Sequence, residues 1–568
     1  MSLYGESVII QIMNTGRLMA GGEQKESSGA VKAQTFPSTK GENVEKTTTG
    51  KMIFNITVLI AFFSALSKLL GVLRDSVIAH KFGATGASDA YLVALTAPNL
   101  LFYIISGALA AVTVPVFIEY STKGKKQEAW KVFNTVFNAV TVVFILIAAA
   151  GMVFSPCIVK LIAWNLPGQT ANLAASLARI MFPLLLFAGW ASLFAGLLNA
   201  NNIFGIPASS NAVNNVVIIL GAVTLGSFYG VHGLAVGTVI AMAAMALMQV
   251  PALLRAGYRY KPALDLSHPG VKQVFSLILP AAAGLTVNQA YILIEKNIAS
   301  GMPEGTITAL SLANKLVQVP ISLFVLALGT AVFPTLTKLV TAGEREEFSA
   351  SLNRLLRILI LGMVPASIGL IVLRYPIVSL LYKSGAFDQR ATEMTAAALL
   401  FYSVGLAGQA ANAILTKAFY SLQDTKTPVK ITLATVLVNL GLSLLLTRFL
   451  QHGGLALASS LASLTGTALF MFFIEKKVKP LRWTGLIRFT LPVLAASALM
   501  AAASYGLNDV LTGLFSPHGK LGLAVQVGSS VAAGVAVFIA AALILKIEEL
   551  YILRNYLMAV FTGGRQKD

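Results

Sequence analysis

The sequence predicts an all-α polytopic membrane protein of about fourteen transmembrane helices, with two parallel six-helix lobes and two extra C-terminal helices. Hydrophobic residues make up 56% of the 568 residues, and the mean hydropathy is +0.77. The apolar residues fall into stretches of roughly 20 or more, the length that crosses the ~30 Å hydrocarbon core of a bilayer. Short motifs also recur along the chain at one nearly constant spacing, which indicates an internal duplication.

Each predicted span is an apolar stretch bounded by charged or turn-forming residues. The spans cover residues 53–79, 88–118, 131–155, 171–199, 206–228, 231–254, 271–300, 307–338, 354–373, 392–421, 428–449, 453–475, 484–506 and 521–546. The polar N-terminal residues have no apolar period and are typical of a disordered tail, so the first span acts as an uncleaved insertion signal. The predicted organisation is therefore a cytoplasmic tail (1–51), a first lobe (52–256), a second lobe (270–478), two additional spans (479–546) and a cytoplasmic C-terminal tail (547–568).

The duplication rests on matched motifs in the two lobes. Pro115 corresponds to Pro334, an offset of 334 − 115 = 219, and Pro207 corresponds to Pro428, an offset of 221. The run that begins at Gly233 corresponds to the one that begins at Gly454, again 221 residues on. A repeat of six spans inserts both copies with the same orientation, which predicts a cavity between the lobes and a rocking motion.

The charge distribution predicts the orientation. Placing the N-terminus inside gives the inner loops about 20 basic residues and the outer loops about seven, so the positive-inside rule places both termini in the cytoplasm. The net charge of +19 is explained by these flanking residues, and nucleic-acid binding is not expected because no basic domain lies outside the membrane.

Catalytic signatures are absent from the sequence. It contains no HExxH, GxSxG, Walker A or CxxC motif, and its single cysteine, Cys157, excludes an intramolecular disulfide and a cysteine-based metal cluster. We therefore expect a transporter without a cofactor rather than an enzyme. Membrane potential, sodium and protons all stay open as energy sources, and no metal site is predicted or excluded.

Ionisable residues inside the first two spans are the main functional signal, because charge is costly in a bilayer. Lys68 and Asp75 are seven residues apart and share a helical face, so they can pair and leave Arg74 free for a ligand. The competing interpretation places Arg74, Asp75 and Lys81 at the membrane interface, as the outer end of the span. For Asp89, the alternative to a binding role is to cap its own helix.

The second lobe adds further polar residues in spans seven and eight. Glu295 precedes Lys296, and a local ion pair is the alternative to a binding role for them. Lys315 and Gln318 share a helical face, with Asn314 beside them. Lysines and an arginine that face one cavity would suit an anion, and a guanidinium suits phosphate because of its planar fork.

The chain resembles the MurJ/MviN family through several motifs. They are the run from Lys68 to Asp75 (KLLGVLRD), Phe82-Gly83-Ala84, Asp89-Ala90, Pro98-Asn99, the run from Leu326 to Pro334, Gly385-Ala386-Phe387-Asp388, and the run from Ala418 to Pro428. The resemblance covers about residues 52–480. It implies a flippase that moves the undecaprenyl-diphosphate-linked peptidoglycan precursor lipid II to the outer leaflet for cell-wall synthesis. It also implies a bacterial plasma-membrane location, and two extra spans that line a groove for the lipid tail.

The resemblance also implies a headgroup cavity. The residues assigned to it, from the motifs or from the cationic cluster, are Lys68, Arg74, Asp75, Asp89, Lys296, Asn314, Lys315 and Gln318, with Lys68, Arg74 and Lys315 on the diphosphate. One departure stands out: the family often has an Arg pair and then Glu-Gly after Pro98-Asn99, whereas this chain has Phe102 and then Ser106-Gly107. One cationic contact and one carboxylate are therefore missing.

Other readings stay open at this point. A flippase for another lipid-linked unit, such as an O-antigen, teichoic or capsular precursor, keeps the mechanism and changes the sugar. A cation-coupled drug antiporter of the same fold predicts an acidic cavity, which the excess of Lys and Arg opposes. A membrane glycosyltransferase is disfavoured because no long loop carries paired carboxylates. We expect the protein to act as a monomer, with cell-wall synthases as possible partners.

Overall fold

The computed structural model of the protein describes residues 40–478, 483–514 and 519–550, apart from some side chains within the helices. These residues form nineteen helices and one isolated β-bridge, between Ser384 and Phe387. The helices of the first lobe are α1 (Lys40–Phe82), α2 (Gly86–Thr122), α3 (Lys126–Val153), α4 (Ser155–Ile162), α5 (Gly168–Met181), α6 (Leu184–Ala200), α7 (Gly205–Val223), α8 (Leu225–Leu247) and α9 (Val250–Arg255). Those of the second lobe are α10 (Pro269–Ala299), α11 (Thr306–Thr341), α12 (Arg345–Val372), α13 (Arg374–Leu381), α14 (Gln389–Val404), α15 (Leu406–Ser421), α16 (Lys426–Leu450) and α17 (His452–Lys477), followed by α18 (Trp483–Leu514) and α19 (Lys520–Ile544).

Membrane-crossing length and composition are found throughout the described chain. Nine helical segments there are long and apolar enough to span a bilayer, or eleven if each of two bent pairs is one broken span. The bent pairs are α5 with α6, at 43°, and α14 with α15, at 47°. These eleven segments match eleven of the fourteen predicted spans. The other three predicted spans, 53–79, 88–118 and 271–300, lie within α1, α2 and α10, where some side chains are outside the described part.

The structure repeats itself at the spacing that the sequence motifs predict. The short helices α4 and α13 occupy matching places, and their first residues are 374 − 155 = 219 apart. A sharp backbone turn occurs at Gly230, with φ 57° and ψ −140°, and again 221 residues later at Gln451, with φ 48° and ψ −128°. The matched glycines also share a contact, because a Cβ atom at Gly233 or Gly454 would lie 2.1 or 2.4 Å from a carbonyl oxygen eight residues earlier. The two lobes are therefore copies of one unit.

The turn at Gln451 gives a first testable prediction. A side chain is strained at this positive φ, whereas its counterpart in the first lobe is glycine. Gln451→Gly should therefore raise the free energy of unfolding by about 1 kcal/mol. This value is the relief of backbone strain minus the cost of the more flexible unfolded chain that glycine brings. The measurement is the thermal unfolding midpoint in detergent, with the reverse change, Gly230→Gln, expected to lower it. A lower midpoint for Gln451→Gly would contradict this account.

The two lobes meet along a seam between α2 and α10, and α18 with α19 lies outside the repeat. This last pair packs on α12, where Phe489 and Phe538 belong to a cluster around Leu361. The segment between the lobes is held against the first of them. Lys131 Nζ lies 2.8 Å from Asp265 Oδ2, and this hydrogen bond lowers the pKa of the Asp265 carboxyl.

The structure describes part of each predicted tail. Helix α1 begins at Lys40, so residues 40–51, predicted as part of a disordered tail, are helical; this stretch contains no proline to end the helix of the first span. At the other end, residues 547–550 pack against the bundle. Ile547 is buried, and Glu549 pairs with Arg357 at 3.1 Å. Residues 1–39 and 551–568 of the predicted tails lie outside the described residues.

Candidate binding cavity and outer closure

A cluster of two cations and one carboxylate joins the lobes. Asp75 on α1 is 5% exposed, and its Oδ1 accepts hydrogen bonds from Arg74 Nη2 and from Lys315 Nζ on α11, each at 2.9 Å. Arg74 also donates from Nε to the same oxygen, at 3.1 Å, and from Nη1 to Asn215 Oδ1, at 2.9 Å. One carboxylate thus serves two cations from different lobes and leaves the cluster with one net positive charge.

Two cavities adjoin this cluster. The first cavity, of about 840 Å³, lies between the lobes and is lined by Arg74 and Asp75. The second cavity, of about 650 Å³, lies within the second lobe and is lined by Asn314 and Gln318. Their linings share Ile292, Lys296, Ser311 and Lys315. The wall between the two cavities therefore carries two lysines.

Five charged residues line one or both cavities: Arg74, Asp75, Glu295, Lys296 and Lys315. Lys296 reaches from α10 to the first lobe, where its Nζ lies 3.3 Å from the carbonyl oxygen of Leu92. Its neighbour Glu295 lines the second cavity and accepts a hydrogen bond from the hydroxyl of Tyr402. Among the described contacts, Glu295 and Lys296 do not bond to each other, so the local ion pair weighed from the sequence does not form.

The predicted pairing of Lys68 with Asp75 is wrong. Lys68 donates to Ser322 Oγ on α11, at 2.5 Å, and lines neither cavity. Lys68 and Asp75 do share a helical face. Seven residues correspond to about 10 Å along the helix axis, however, so the two side chains are too far apart to pair easily. A cation from the other lobe, Lys315, lies closer to Asp75. Arg74, which was expected to be free for a ligand, is paired with Asp75.

Asp89 caps a helix, as one interpretation of the sequence predicted, but the helix is α11 of the second lobe and not its own. Its carboxylate accepts hydrogen bonds from Gly305 N at 2.7 Å, Thr308 N at 2.8 Å and Thr308 Oγ1 at 2.6 Å. The residue before its own helix is Thr85, whereas Asp89 caps α11 of the other lobe. Asp89 is 4% exposed and lines neither cavity. A carboxylate at a helix N-terminus stabilises the contact electrostatically.

The lobes are in direct backbone contact around Asp89, at the end of the bundle that the positive-inside rule places outside. Ala386 N donates to the carbonyl oxygen of His80 at 2.8 Å. Gly305, with φ 88°, approaches Ala84 so closely that a Cβ atom would lie 2.1 Å from the carbonyl oxygen. We call these contacts, together with those of Asp89, the outer closure. It joins the lobes at one end of the space between them.

Neutral amides near the cluster were missed by sequence reasoning. Asn215 lines the first cavity and holds α7 to α1 through two hydrogen bonds. It accepts one from Arg74 and donates the other from Nδ2 to the carbonyl oxygen of Ser67, at 2.9 Å. Asn211 and Asn214 lie on the same helix, α7, and line the first cavity with it. The signal was present in the sequence as three asparagines at i, i+3 and i+4 inside an apolar span.

The departure from the resembled family lies at the first cavity. Phe102 and its neighbour Tyr103 line it, with ring centroids 5.6 Å apart. Aromatic surface therefore stands where the family often has a cation. Ser106 and Gly107 lie within α2, but their side chains are outside the described part. No group of histidine, cysteine, aspartate and glutamate that could hold a metal ion occurs among the described residues.

Known proteins resemble this chain in sequence along most of its length. The family model described as lipid II flippase MurJ matches residues 78–525. A "Probable lipid II flippase MurJ" of Haemophilus influenzae is 31% identical over 468 residues, which cover 78% of this chain and 91% of that protein. The "Lipid II flippase MurJ" of Burkholderia cenocepacia is 29% identical over 458 residues, or 79% of this chain and 89% of that protein.

Solved structures show the same fold. A structure titled "Lipid II flippase MurJ, inward closed conformation" has a TM-score of 0.72 at 24% identity and covers 86% of this chain and 99% of its own. An inward-facing multidrug-resistance MATE family transporter of the MOP superfamily follows with a TM-score of 0.63, 14% identity and coverage of 75% and 98%. The predicted fold class is confirmed, and the chain belongs to the lipid II flippase MurJ family.

Proposed function

We propose that this chain moves lipid II from the inner to the outer leaflet of the bacterial plasma membrane for peptidoglycan synthesis. The observation that carries the proposal is the cluster of Arg74 and Lys315 around Asp75, at the wall between two polar cavities. Lipid II is an amphiphile with a diphosphate between its sugar and its prenyl tail. A cationic site between the lobes suits that diphosphate, while the tail stays in lipid.

The cluster has the chemistry to exchange one anion for another. In this structure, the Asp75 carboxylate neutralises part of the charge on Arg74 and Lys315, which keeps the cost of burying them low. A diphosphate carries more negative charge and more acceptor oxygens than a carboxylate, and it pairs well with a guanidinium. We infer that lipid II displaces Asp75 from Arg74 and Lys315, with Lys296 as a further cation on the same wall.

The alternating motion follows from the way in which the outer closure joins the lobes. The described contacts join the lobes at the outer end, and we propose that the structure corresponds to an inward-facing state. Export then requires the contacts of Asp89 and Ala386 to break while the inner side closes. Two lobes of the same fold, joined along α2 and α10, suit a rocking motion about the cavity.

The cavity chemistry separates this proposal from the alternatives. A drug antiporter for cationic compounds would need acidic walls, whereas the wall between these cavities carries Lys296 and Lys315. The membership of the chain in the lipid II flippase family favours lipid II over other lipid-linked sugars. An enzymatic role has no support from the motifs of the sequence.

Several finer parts of the proposal come from charge distribution and general physics. We propose that both termini are cytoplasmic, as the positive-inside rule predicts, and that the protein works as a monomer beside cell-wall synthases. The membrane potential is a suitable energy source because moving one charge through 100 mV corresponds to about 2.3 kcal/mol. Sodium and proton coupling stay possible alternatives, and the cycle needs no cofactor.

Arg74→Ala tests the site. Removing two charge-assisted hydrogen-bond donors should weaken lipid II binding at least tenfold, since each such bond is worth about 1.5–3 kcal/mol. The measurement is native mass spectrometry of the purified protein titrated with lipid II. Arg179→Ala is the matched control, because Arg179 also lies in the first lobe but bonds to Ser155, away from both cavities. Equal lipid II affinity for Arg74→Ala and Arg179→Ala would contradict the assignment.

A further inference from the structure

The neutral amides of the first cavity are not explained by diphosphate binding. Asn211, Asn214 and Asn215 follow one face of α7 within the first lobe, and Gln289 faces the same cavity from α10. We call these four side chains the amide row. An amide inside a membrane-spanning helix is costly unless it is hydrogen-bonded. Only one member of the row, Asn215, has a role in holding the cationic cluster.

Two amide oxygens in the row have no partner in the described structure. Asn214 Oδ1 and Gln289 Oε1 are both buried, and neither has a hydrogen-bond partner there. Leaving a buried acceptor unpaired costs about 1–3 kcal/mol. Groups that can both donate and accept, left unsatisfied beside a cavity of about 840 Å³, indicate a site for an uncharged polar ligand.

The position of the row identifies the part of the ligand that it would meet. Asn215 is in direct contact with Arg74, because Arg74 Nη1 lies 2.9 Å from Asn215 Oδ1. Asn214 is the residue that precedes Asn215 in α7. If Arg74 holds the diphosphate, the row begins where the diphosphate ends. The group bonded covalently to that diphosphate is the first sugar. Hydroxyl and N-acetyl groups of an amino sugar offer the donors and acceptors that carboxamides complement.

The aromatic pair of the same cavity fits a sugar as well. Phe102 and Tyr103 line the first cavity and offer apolar surface for the C–H face of a sugar ring. This pair stands where the family often has a cation and, nearby, a carboxylate. At Phe102 the exchange replaces a charge by an aromatic ring in the cavity that the amide row also lines.

We infer that the amide row, with Phe102 and Tyr103, is a saccharide subsite that reads the N-acetylated sugar attached to the diphosphate. This inference rests on the proposed function, because it takes the diphosphate to be held at Arg74. It assigns to the first cavity a selectivity for glycosylated over bare undecaprenyl diphosphate. The peptide of lipid II is not read by this row.

The test compares three lipids on the full-length protein by native mass spectrometry. They are undecaprenyl diphosphate, the same lipid with the disaccharide but no peptide, and lipid II. Asn214→Leu should lower the preference for the disaccharide lipid over the bare diphosphate by about fivefold to tenfold, the loss of one or two hydrogen bonds, and leave binding of the bare diphosphate unchanged. Asn211→Leu, at an exposed position of the cavity wall, should act in the same direction and is less able to disturb folding.

Asn134→Leu is the matched control, because Asn134 is a buried asparagine of the first lobe that lines neither cavity. It should leave the preference unchanged. An unchanged preference in Asn211→Leu and Asn214→Leu would overturn the subsite, as would a loss confined to the peptide-bearing lipid. If the wild type binds the bare and glycosylated lipids equally, the subsite fails while the diphosphate site stands. If it binds none of the three above an ordinary phospholipid, the proposed function fails first.

Discussion

Asp75→Asn is expected to bind lipid II at least tenfold more tightly than the wild type and to translocate it at a small fraction of the wild-type rate. In the structure, Asp75 Oδ1 lies 2.9 Å from both Arg74 Nη2 and Lys315 Nζ. Asparagine removes the negative charge that competes with the diphosphate for these cations. The same change leaves two cations from different lobes without their shared counter-ion, which penalises the empty state by a few kcal/mol. Release and return of the empty protein should therefore be slow.

Binding and transport must be measured on the same preparations to test this. Lipid II affinity is read by native mass spectrometry, and transport by the exposure of lipid II at the cell surface. Asp75→Glu keeps the charge and is the control that should retain transport. A double variant, Asp75→Asn with Lys315→Met, should recover stability because it removes one of the unpaired cations. Weaker lipid II binding by a folded Asp75→Asn protein would show that Asp75 positions Arg74 rather than competing with the ligand.

Asp89→Asn is expected to open the outer closure. The Asp89 carboxylate holds the N-terminus of α11 through three hydrogen bonds of 2.6–2.8 Å. Asparagine offers one acceptor oxygen and no charge, so it loses part of the interaction with the helix dipole and of the charge-assisted bonding. A loss of about 1–2 kcal/mol shifts the balance between closed and open forms by about fivefold to thirtyfold.

Spin labels at the outer ends of the two lobes would report this shift. Gln169→Cys and Arg390→Cys are both at exposed positions, and the single native cysteine, Cys157, would be replaced by serine. Double electron–electron resonance should show a longer second distance in Asp89→Asn that the parent protein populates little. Asp388→Asn is the matched control, since Asp388 caps α14 within one lobe, with Oδ1 2.8 Å from Ala391 N. The same distance distribution in the Asp89→Asn variant and the parent would refute the role of Asp89 in closure.

Features that depend on local sequence were predictable. Apolar length identified eleven of the fourteen predicted spans, and the 219–221 offset between motifs anticipated the matched turns at Gly230 and Gln451. Arg74, Asp75 and Lys315 stood out because charged residues are rare inside spans. The structure brings these three together. Of the other residues assigned to the same cavity, Lys68 and Asp89 line neither cavity, and Asn314 and Gln318 line only the second.

Features that depend on the packing of the lobes were not predictable. A carboxylate near the start of a helix has the same local pattern whether it caps its own helix or another, so Asp89 could not be assigned to α11. The partner of Lys68 lies 254 residues away, at Ser322, and the face that Lys68 shares with Asp75 says nothing of the helix opposite. The amide row was overlooked because neutral side chains in a span are less conspicuous than charged ones.

The central claim is that this chain exports lipid II, and the most direct measurement is the exposure of lipid II in a bacterium in which the chain is the sole flippase. An enzyme that cleaves lipid II, added outside intact cells, reports the fraction in the outer leaflet. Depletion of the chain should lower that fraction to background, and Arg74→Ala at equal membrane abundance should not restore it, whereas Arg179→Ala should. Undiminished lipid II cleavage after depletion would contradict the claim.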